Sequence, residues 1–154
     1  FELFCGGSII THQHILTAAH CFTNSKSYSY KAIVGDYDRT EREIDEQEFQ
    51  FAEDNIYSHL NYNFNTDEND IAIIKLNGTI QFNKYAQPIT LSPRSLEYKD
   101  HLYCTITGWG KTKDDVHADF PKKLQAAQVW TFQYEECRKE ASYGNKIKDT
   151  MFCA

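Results

Sequence analysis

The feature that most constrains the fold of this chain is a histidine and a cysteine placed side by side, His20 and Cys21, after the largely apolar run 16–19. A disulfide from Cys21 would fix the backbone next to the imidazole ring. Cys5 is the obvious partner, because two glycines that allow close backbone approach follow it, and residues 8–10 are then typical of a buried strand. Such a disulfide would close a loop of about 15 residues and stabilise the fold by roughly 3 kcal/mol.

A second titratable residue stands in a strand context fifty positions after His20. Asp70 directly precedes the apolar run 71–76, so its carboxylate is expected at the edge of a buried sheet. A carboxylate there needs hydrogen-bond donors, and an imidazole N–H with backbone amides would keep it ionised. Because histidine accepts and returns protons near neutral pH, the two residues suit the activation of a hydroxyl nucleophile. Taken singly, a strand-capping aspartate and a satisfied core histidine are the alternative interpretations.

Several segments of the chain resemble the trypsin-like serine proteases, which have the chymotrypsin fold. The matching segments, in the family's order and spacing, are residues 5–10, 16–21, 59–63 leading into 69–72, 106–110 and 151–154. The resemblance covers the whole chain. It implies that His20 is the general base and that Asp70 is its catalytic partner.

The same resemblance implies an all-β fold of two antiparallel six-stranded β-barrels, with the second barrel incomplete in this chain. Strand-like runs agree with it, most clearly at residues 31–34, 71–76, 103–107 and 124–130, and only residues 134–141 predict a short helix. We expect the two barrels to be joined near residues 91–98.

Two units of one peptidase domain follow from this comparison. Residues 1–91 would form the first barrel, with its first strand truncated and with both catalytic residues. Residues 92–154 would form the linker and the first part of the second barrel, truncated before the catalytic serine. Barrel proteins of this kind commonly need roughly 200–250 residues, so we expect a partial sequence. The family's nucleophile, in the segment Gly-Asp-Ser-Gly-Gly, would lie beyond Ala154, and the fragment alone should be inactive.

The cysteine count is odd, five in 154 residues, which in a disulfide-forming chain indicates a partner elsewhere. By resemblance, Cys5 pairs with Cys21 and Cys137 with Cys153, while Cys104 would pair with a cysteine beyond residue 154. Zinc binding is the competing use of cysteine, but the sequence has no Cys-x-x-Cys pair.

The resemblance also implies a protein made as a zymogen and acting on protein or peptide substrates with no cofactor for catalysis. Its expected disulfides indicate that it is secreted. Protein protease inhibitors are the other expected partners, and no nucleic acid is expected. No apolar stretch is long enough for a membrane span. Asn77, in Asn-Gly-Thr, is a glycosylation acceptor consistent with secretion. The alternative is a catalytically silent homologue that acts as a binding or regulatory protein, although the presence of both His20 and Asp70 favours the enzyme.

Acidic residues are concentrated in one part of the chain. Residues 35–70 hold twelve acidic and two basic residues, a net charge of −10, whereas the whole chain carries −6. Calcium binds clusters of carboxylate and carbonyl oxygens. In the family's calcium-binding members the ligands fall here on Asp36, Glu43 and Glu46, together with the main-chain oxygens of Asp38 and Glu41. A solvated acidic surface or an exosite for a basic partner would explain the same residues.

Only one specificity position of the family falls within the chain. Asp67, three residues before Asp70, corresponds to the wall of the subsite next to the primary pocket. An acidic residue there predicts a preference for a polar or basic residue just upstream of the cleaved bond. The primary cleavage specificity is not encoded in these residues.

Overall fold

The structure is a computed structural model that describes residues 3–23, 29–93, 101–139 and 143–154. These residues form eight β-strands, two short α-helices and two 3-10 helices. The strands are β1 (Ser8–Ile9), β2 (His14–Thr17), β3 (Tyr30–Val34), β4 (Gln47–Phe51), β5 (Ile56–Ser58), β6 (Ala72–Lys75), β7 (Tyr103–Gly108) and β8 (Gln125–Trp130). The α-helices are α1 (His20–Thr23) and α2 (Tyr134–Cys137), and the 3-10 helices are Glu53–Asn55 and Gly144–Lys146.

The first six strands form a four-stranded antiparallel sheet, in the order β1-β2-β6-β5, and a separate hairpin of β3 and β4. In the sheet, Ile15 lies opposite Ile9 on one side and Ile74 on the other. Strand residues alternate between the two faces of a sheet, so this register sends Ile15 and Ile74 to the interior. The sheet therefore owes its buried face to the branched apolar residues that marked these strands in the sequence.

The hydrophobic core lies between this sheet and the hairpin. Ile80 is completely buried, and the rings of Tyr30 and Phe51 stack with their centroids 5.3 Å apart. Phe22, on α1, packs edge-on against Tyr30 at 5.3 Å. The buried apolar residues of this region are Ile15, Ala19, Tyr30, Val34, Phe51, Ala72, Ile74, Leu76, Ile80 and Ala86.

Strands β7 and β8 pair as an antiparallel hairpin in the second half. Tyr103 and Trp130 lie opposite each other with ring centroids 4.5 Å apart, and both side chains are largely exposed. Among the described residues 101–139 and 143–154, the buried ones are Thr131 and Cys137.

The two halves meet through the loop between β3 and β4. The guanidinium group of Arg39 donates hydrogen bonds to the carbonyl oxygens of Pro121, at 2.9 Å, and Phe120, at 3.1 Å. Asp38 forms an isolated β-bridge with Lys123. The acidic loop is therefore attached to the segment that leads into β8.

The predicted all-β architecture is confirmed, with strands at all four predicted positions. The helix prediction was wrong in its extent, because α2 ends at Cys137 and residues 140–142 lie outside the described residues. The helix α1 was not predicted. It is a single turn, too short to show the periodic spacing of apolar residues from which longer helices are predicted. The predicted junction at 91–98 falls mostly outside the described residues. Within the described residues, no helix is long and apolar enough to cross a bilayer.

Candidate active site

His20 stands where the chain leaves the sheet and begins α1. Ala19 is almost fully buried, and its carbonyl oxygen accepts the N–H of Phe22 at 3.1 Å. The disulfide between Cys21 and Cys5 then joins the helix to the segment before β1, with the two Cα atoms 6.2 Å apart. Packing, a turn and a covalent bond thus fix the backbone on both sides of the histidine.

Asp70 reaches His20 because β2 and β6 are adjacent in the sheet. Thr17 pairs with Ala72, so the residues just after β2 and just before β6 leave the sheet at the same edge. The carboxylate makes two hydrogen bonds with one residue. Its Oδ1 atom accepts a hydrogen bond from the backbone N–H of His20 at 2.8 Å. Its Oδ2 atom lies 2.7 Å from Nδ1 of the His20 ring.

The surroundings of Asp70 favour its ionised form. Burial alone raises the pKa of this carboxyl, but the hydrogen bonds from the ring and backbone of His20, its charge, and a hydrogen bond from the backbone of Ala19 outweigh burial. The net effect is a pKa for Asp70 below its ordinary value.

An ionised carboxylate only accepts hydrogen bonds, so the contact with Asp70 places the imidazole proton on Nδ1. The lone pair of His20 is then on Nε2. The side chain of His20 is 56% exposed, against 22% for Asp70. The arrangement therefore offers a held, accessible base to an incoming hydroxyl group.

A cleft of about 430 Å³ lies beside this pair. Asp67 lines it with an unusual backbone φ of +55°. Tyr62 lies in the same cleft, and burial, followed by the charges of Asp70 and Asp67, raises the pKa of its phenol. The lining residues are His20, Thr23, Tyr62, Phe64, Asp67 and Asp70. The cleft thus combines an aromatic wall with two carboxylates.

The family model for trypsin matches residues 2–154, which is nearly the whole chain. This chain belongs to the trypsin family of serine proteases. Family membership confirms the resemblance and the trypsin-like fold with an incomplete second barrel. Trypsin-like proteases need no cofactor for catalysis.

Individual relatives agree with the trypsin-family assignment. The chain is 37% identical to ovochymase of Halocynthia roretzi over 158 residues, covering 97% of this chain and 10% of that protein. It is 34% identical to human chymotrypsin-like elastase family member 3B, covering 97% of this chain and 55% of that protein. It is 33% identical to bovine proproteinase E, covering 100% of this chain and 60% of that protein. The chain therefore spans little more than half the length of the latter two relatives.

Three carboxylates converge in the loop between β3 and β4. One oxygen atom from each of Asp36, Glu43 and Glu46 lies within 4.8 Å of the others. Glu43 accepts the backbone N–H of Tyr37 at 2.6 Å, and Glu46 accepts the backbone N–H of Glu43 at 2.8 Å. The loop is closed at its base by Gly35, whose φ is +80° and at which a Cβ atom would lie 2.9 Å from the carbonyl oxygen of Asp45.

The carboxylate of Asp36 is poorly satisfied in this loop. Its Oδ1 is buried and has no hydrogen-bond partner within the described part of the chain. Burial raises the pKa of Asp36, as do the charges of Glu46, Glu43 and Asp38, while Arg39 lowers it. A hard divalent cation would relieve both the burial and the repulsion, so the donor set fits calcium. Of the two expected main-chain ligands, the oxygen of Asp38 already accepts the N–H of Glu41 at 2.9 Å.

The remaining predicted residues have clear positions. Asn77 is exposed, and its amide exchanges hydrogen bonds with that of Asn55 at 3.1 and 3.3 Å. The structure also joins Cys137 to Cys153, as the resemblance implies, and leaves Cys104 as a free, half-buried thiol.

Sequence reasoning missed Tyr62 and Thr150. Tyr62 lies inside a segment that carries the family resemblance, so its position was available as a signal. No local sequence signal marked Thr150, because its contact with Asn69 joins residues 81 positions apart in the sequence.

Proposed function

We propose that this chain is part of a secreted serine endopeptidase in which His20 is the general base and Asp70 orients it. The observation that supports this most directly is the pair of hydrogen bonds from one residue to one carboxylate, at 2.8 and 2.7 Å. Family membership supplies the reaction class, and the pair supplies two of the three groups that this reaction needs.

In the proposed mechanism, Nε2 of His20 takes the proton of a serine hydroxyl as its oxygen attacks the peptide carbonyl. Asp70 stabilises the imidazolium that results and holds the ring in the required tautomer. The same proton then passes from Nε2 to the leaving amine. The sequence contains no Gly-Asp-Ser-Gly-Gly segment, so we propose that the serine belongs to residues outside these 154, and that these residues alone do not hydrolyse peptides.

The test begins with the intact natural protein, from its transcript or from peptide mapping of native material. After activation it should hydrolyse peptides and react with a fluorophosphonate that labels catalytic serines. Asp70→Asn should lower kcat by about 10⁴-fold, because the amide favours the wrong histidine tautomer. Asp114→Asn, the same chemical change at an exposed position in the second half, is the matched control and should retain activity. A protein with another residue at the serine position, and no labelling, would be a silent homologue with a binding or regulatory role.

We propose that the cleft beside His20 is the subsite next to the primary pocket, which receives the substrate residue one position further upstream of the cleaved bond, and that Asp67 favours a basic or polar side chain there. The exposed position of Asp67 and its lining of the cleft support this. A peptide-library profile should show the preference, and Asp67→Asn should weaken it while leaving the rate on uncharged peptides nearly unchanged. An apolar preference in the wild-type protein would contradict the assignment.

We propose a structural calcium ion held by Asp36, Glu43 and Glu46. Its positive charge would replace the repulsion among three carboxylates with attraction and stabilise the loop. Calcium should raise the Tm of the intact protein, and a chelator should reverse the change. Glu46→Gln should abolish most of the response, whereas Glu53→Gln, outside the cluster, should retain it. A Tm indifferent to calcium would remove the proposal.

We also propose that the protein is glycosylated at Asn77. Asn77 is exposed, and its Nδ2 makes a long hydrogen bond of 3.3 Å to Asn55. Secreted protein should lose mass on treatment with an N-glycosidase, and Asn77→Gln should lose that response.

We propose that protein protease inhibitors bind the activated protein. An inhibitor of trypsin-family enzymes should bind the activated protein and fail to bind its zymogen tightly.

A further inference from the structure

The residue before Asp70 has a backbone conformation that most residues avoid. Asn69 has a φ of +58°, in the left-handed region. Asparagine enters this region more readily than most residues, but other contacts must still hold it there. The conformation matters because it sets the direction in which the chain delivers the carboxylate of Asp70.

Three hydrogen bonds hold Asn69. Two are local: its Nδ2 donates to the carbonyl oxygen of Asn61 at 3.0 Å, and its own carbonyl oxygen accepts the N–H of Ile71 at 2.8 Å. The third comes from the other half of the chain, because the backbone N–H of Asn69 donates to Oγ1 of Thr150 at 3.0 Å.

Thr150 is itself held in place by its surroundings. It lies in a turn in which the N–H of Met151 donates to the carbonyl oxygen of Lys148 at 2.9 Å. The neighbouring Asp149 accepts a hydrogen bond from the hydroxyl of Tyr134, on α2. The disulfide between Cys137 and Cys153 then ties the end of this segment to the same helix.

We propose that Thr150 is a positioning residue for the His20–Asp70 pair, acting through the left-handed turn at Asn69. Its hydroxyl connects the disulfide-closed segment of the second half to the residue that aims the carboxylate. The proposal rests on the proposed function for its effect on catalysis, but its effect on the geometry of the pair is independent of activity.

The experiment compares Thr150→Val with Thr150→Ser in the intact protein. Valine keeps the shape and removes the acceptor, whereas serine keeps the hydroxyl. Thr66→Val is the matched control, because Thr66 donates to Glu68 at 2.9 Å in the same loop and, within the described residues, makes no hydrogen bond to Asn69. The first readout is the downfield proton resonance of the hydrogen bond between Nδ1 of His20 and Asp70.

Thr150→Val should shift or broaden this resonance, while the other two variants should leave it as in the wild type. In the activated protein, Thr150→Val should lower kcat about fivefold, the equivalent of one ordinary hydrogen bond. KM should change little, and the acid limb of the pH–rate profile should move to lower pH because the imidazolium is less well stabilised.

An unchanged resonance and pH profile in folded Thr150→Val would overturn the proposal, even if its Tm falls. If that variant does not fold, Asn69→Ala provides a second test, because alanine disfavours the left-handed region while Thr150 stays intact. It should perturb the resonance in the same way, and a wild-type spectrum would count against the proposal. If the wild-type protein does not react with fluorophosphonate, the proposed endopeptidase function is wrong. The proton resonance would still test whether Thr150 positions the His20–Asp70 pair.

Discussion

The two halves of the chain differ in how they bury apolar residues. The first half packs its four-stranded sheet and β3–β4 hairpin around a continuous core that includes Ile80, Tyr30 and Phe51. In the described part of the second half, large apolar side chains such as Ile106 and Trp130 remain more than half exposed. His20 and Asp70 both belong to the half with the core, so local packing fixes the base and its partner. The geometry of the β7–β8 hairpin depends much less on burial within these residues.

The largest expected effect is on the free energy of unfolding, and it depends on whether an apolar residue is removed from the buried core of the first half or from the exposed hairpin of the second. Ile80→Ala should lower the free energy of unfolding by about 2–5 kcal/mol, because the side chain is fully buried and leaves a cavity. Ile106→Ala, at a position 54% exposed, should change it by no more than about 0.5 kcal/mol. Urea unfolding of both variants measures the difference, and equal losses would show that the exposed hairpin contributes to stability as the core does.

The two disulfides sharpen the comparison because each joins cysteines 16 positions apart. Chain entropy therefore predicts a similar loss of about 3 kcal/mol when either pair is replaced by alanine. Cys5→Ala with Cys21→Ala should also disturb the resonance between His20 and Asp70 strongly, because Cys21 adjoins His20, whereas loss of the Cys137–Cys153 pair should disturb it less, because that effect is transmitted through Thr150. Unfolding curves and proton spectra of the two double variants test this, and an equal or larger disturbance from loss of the Cys137–Cys153 pair would contradict the expected order.

The smallest expected effects concern two carboxylates of the first half with opposite pKa shifts. Asp70 has a lowered pKa, so its stabilising contribution is present above its unfolded pKa, about 3.9, and is lost as the pH falls through its folded pKa. Asp36 has a raised pKa, so its ionised form destabilises the fold at neutral pH and this cost disappears in acid.

Without calcium at pH 7, Asp70→Asn should therefore lower stability and Asp36→Asn should raise it modestly. The difference for Asp36→Asn should shrink as the pH falls through the raised folded pKa of Asp36 toward about 4, whereas the difference for Asp70→Asn should shrink only below about 4. Urea unfolding across this pH range provides the measurement. Differences of the same sign would contradict the contrast between the two sites.

Much of this architecture was predictable from local sequence. The apolar runs in β3 and β6 predicted strands close to their observed bounds, and the order of short motifs indicated the family. The proximity of His20 and Asp70 came from the family resemblance, since neither residue reveals the pairing of β2 with β6. Calcium-ligand candidates were likewise placed by spacing, but the buried, unsatisfied oxygen of Asp36 needed coordinates.

What could not be predicted depends on contacts between distant residues. Thr150 is an ordinary polar residue in sequence, and only the fold brings its hydroxyl to Asn69. The contacts from Arg39 to Phe120 and Pro121 are of the same kind. The single turn of α1 was missed for a different reason, since four residues are too few to show a helical period.

The two ends of the acidic loop lie close together, with Gly35 against the carbonyl oxygen of Asp45, so the loop projects from the hairpin as a separate unit. A side chain at Gly35 would force the two ends apart and disturb the pairing of β3 with β4. With the glycine retained, the acidic side chains of the loop can be exchanged without altering the hairpin, provided that Asp38 and Arg39 keep their contacts with the segment before β8. Cation affinity and surface charge are thus traits that can evolve, or be engineered, separately from the barrel.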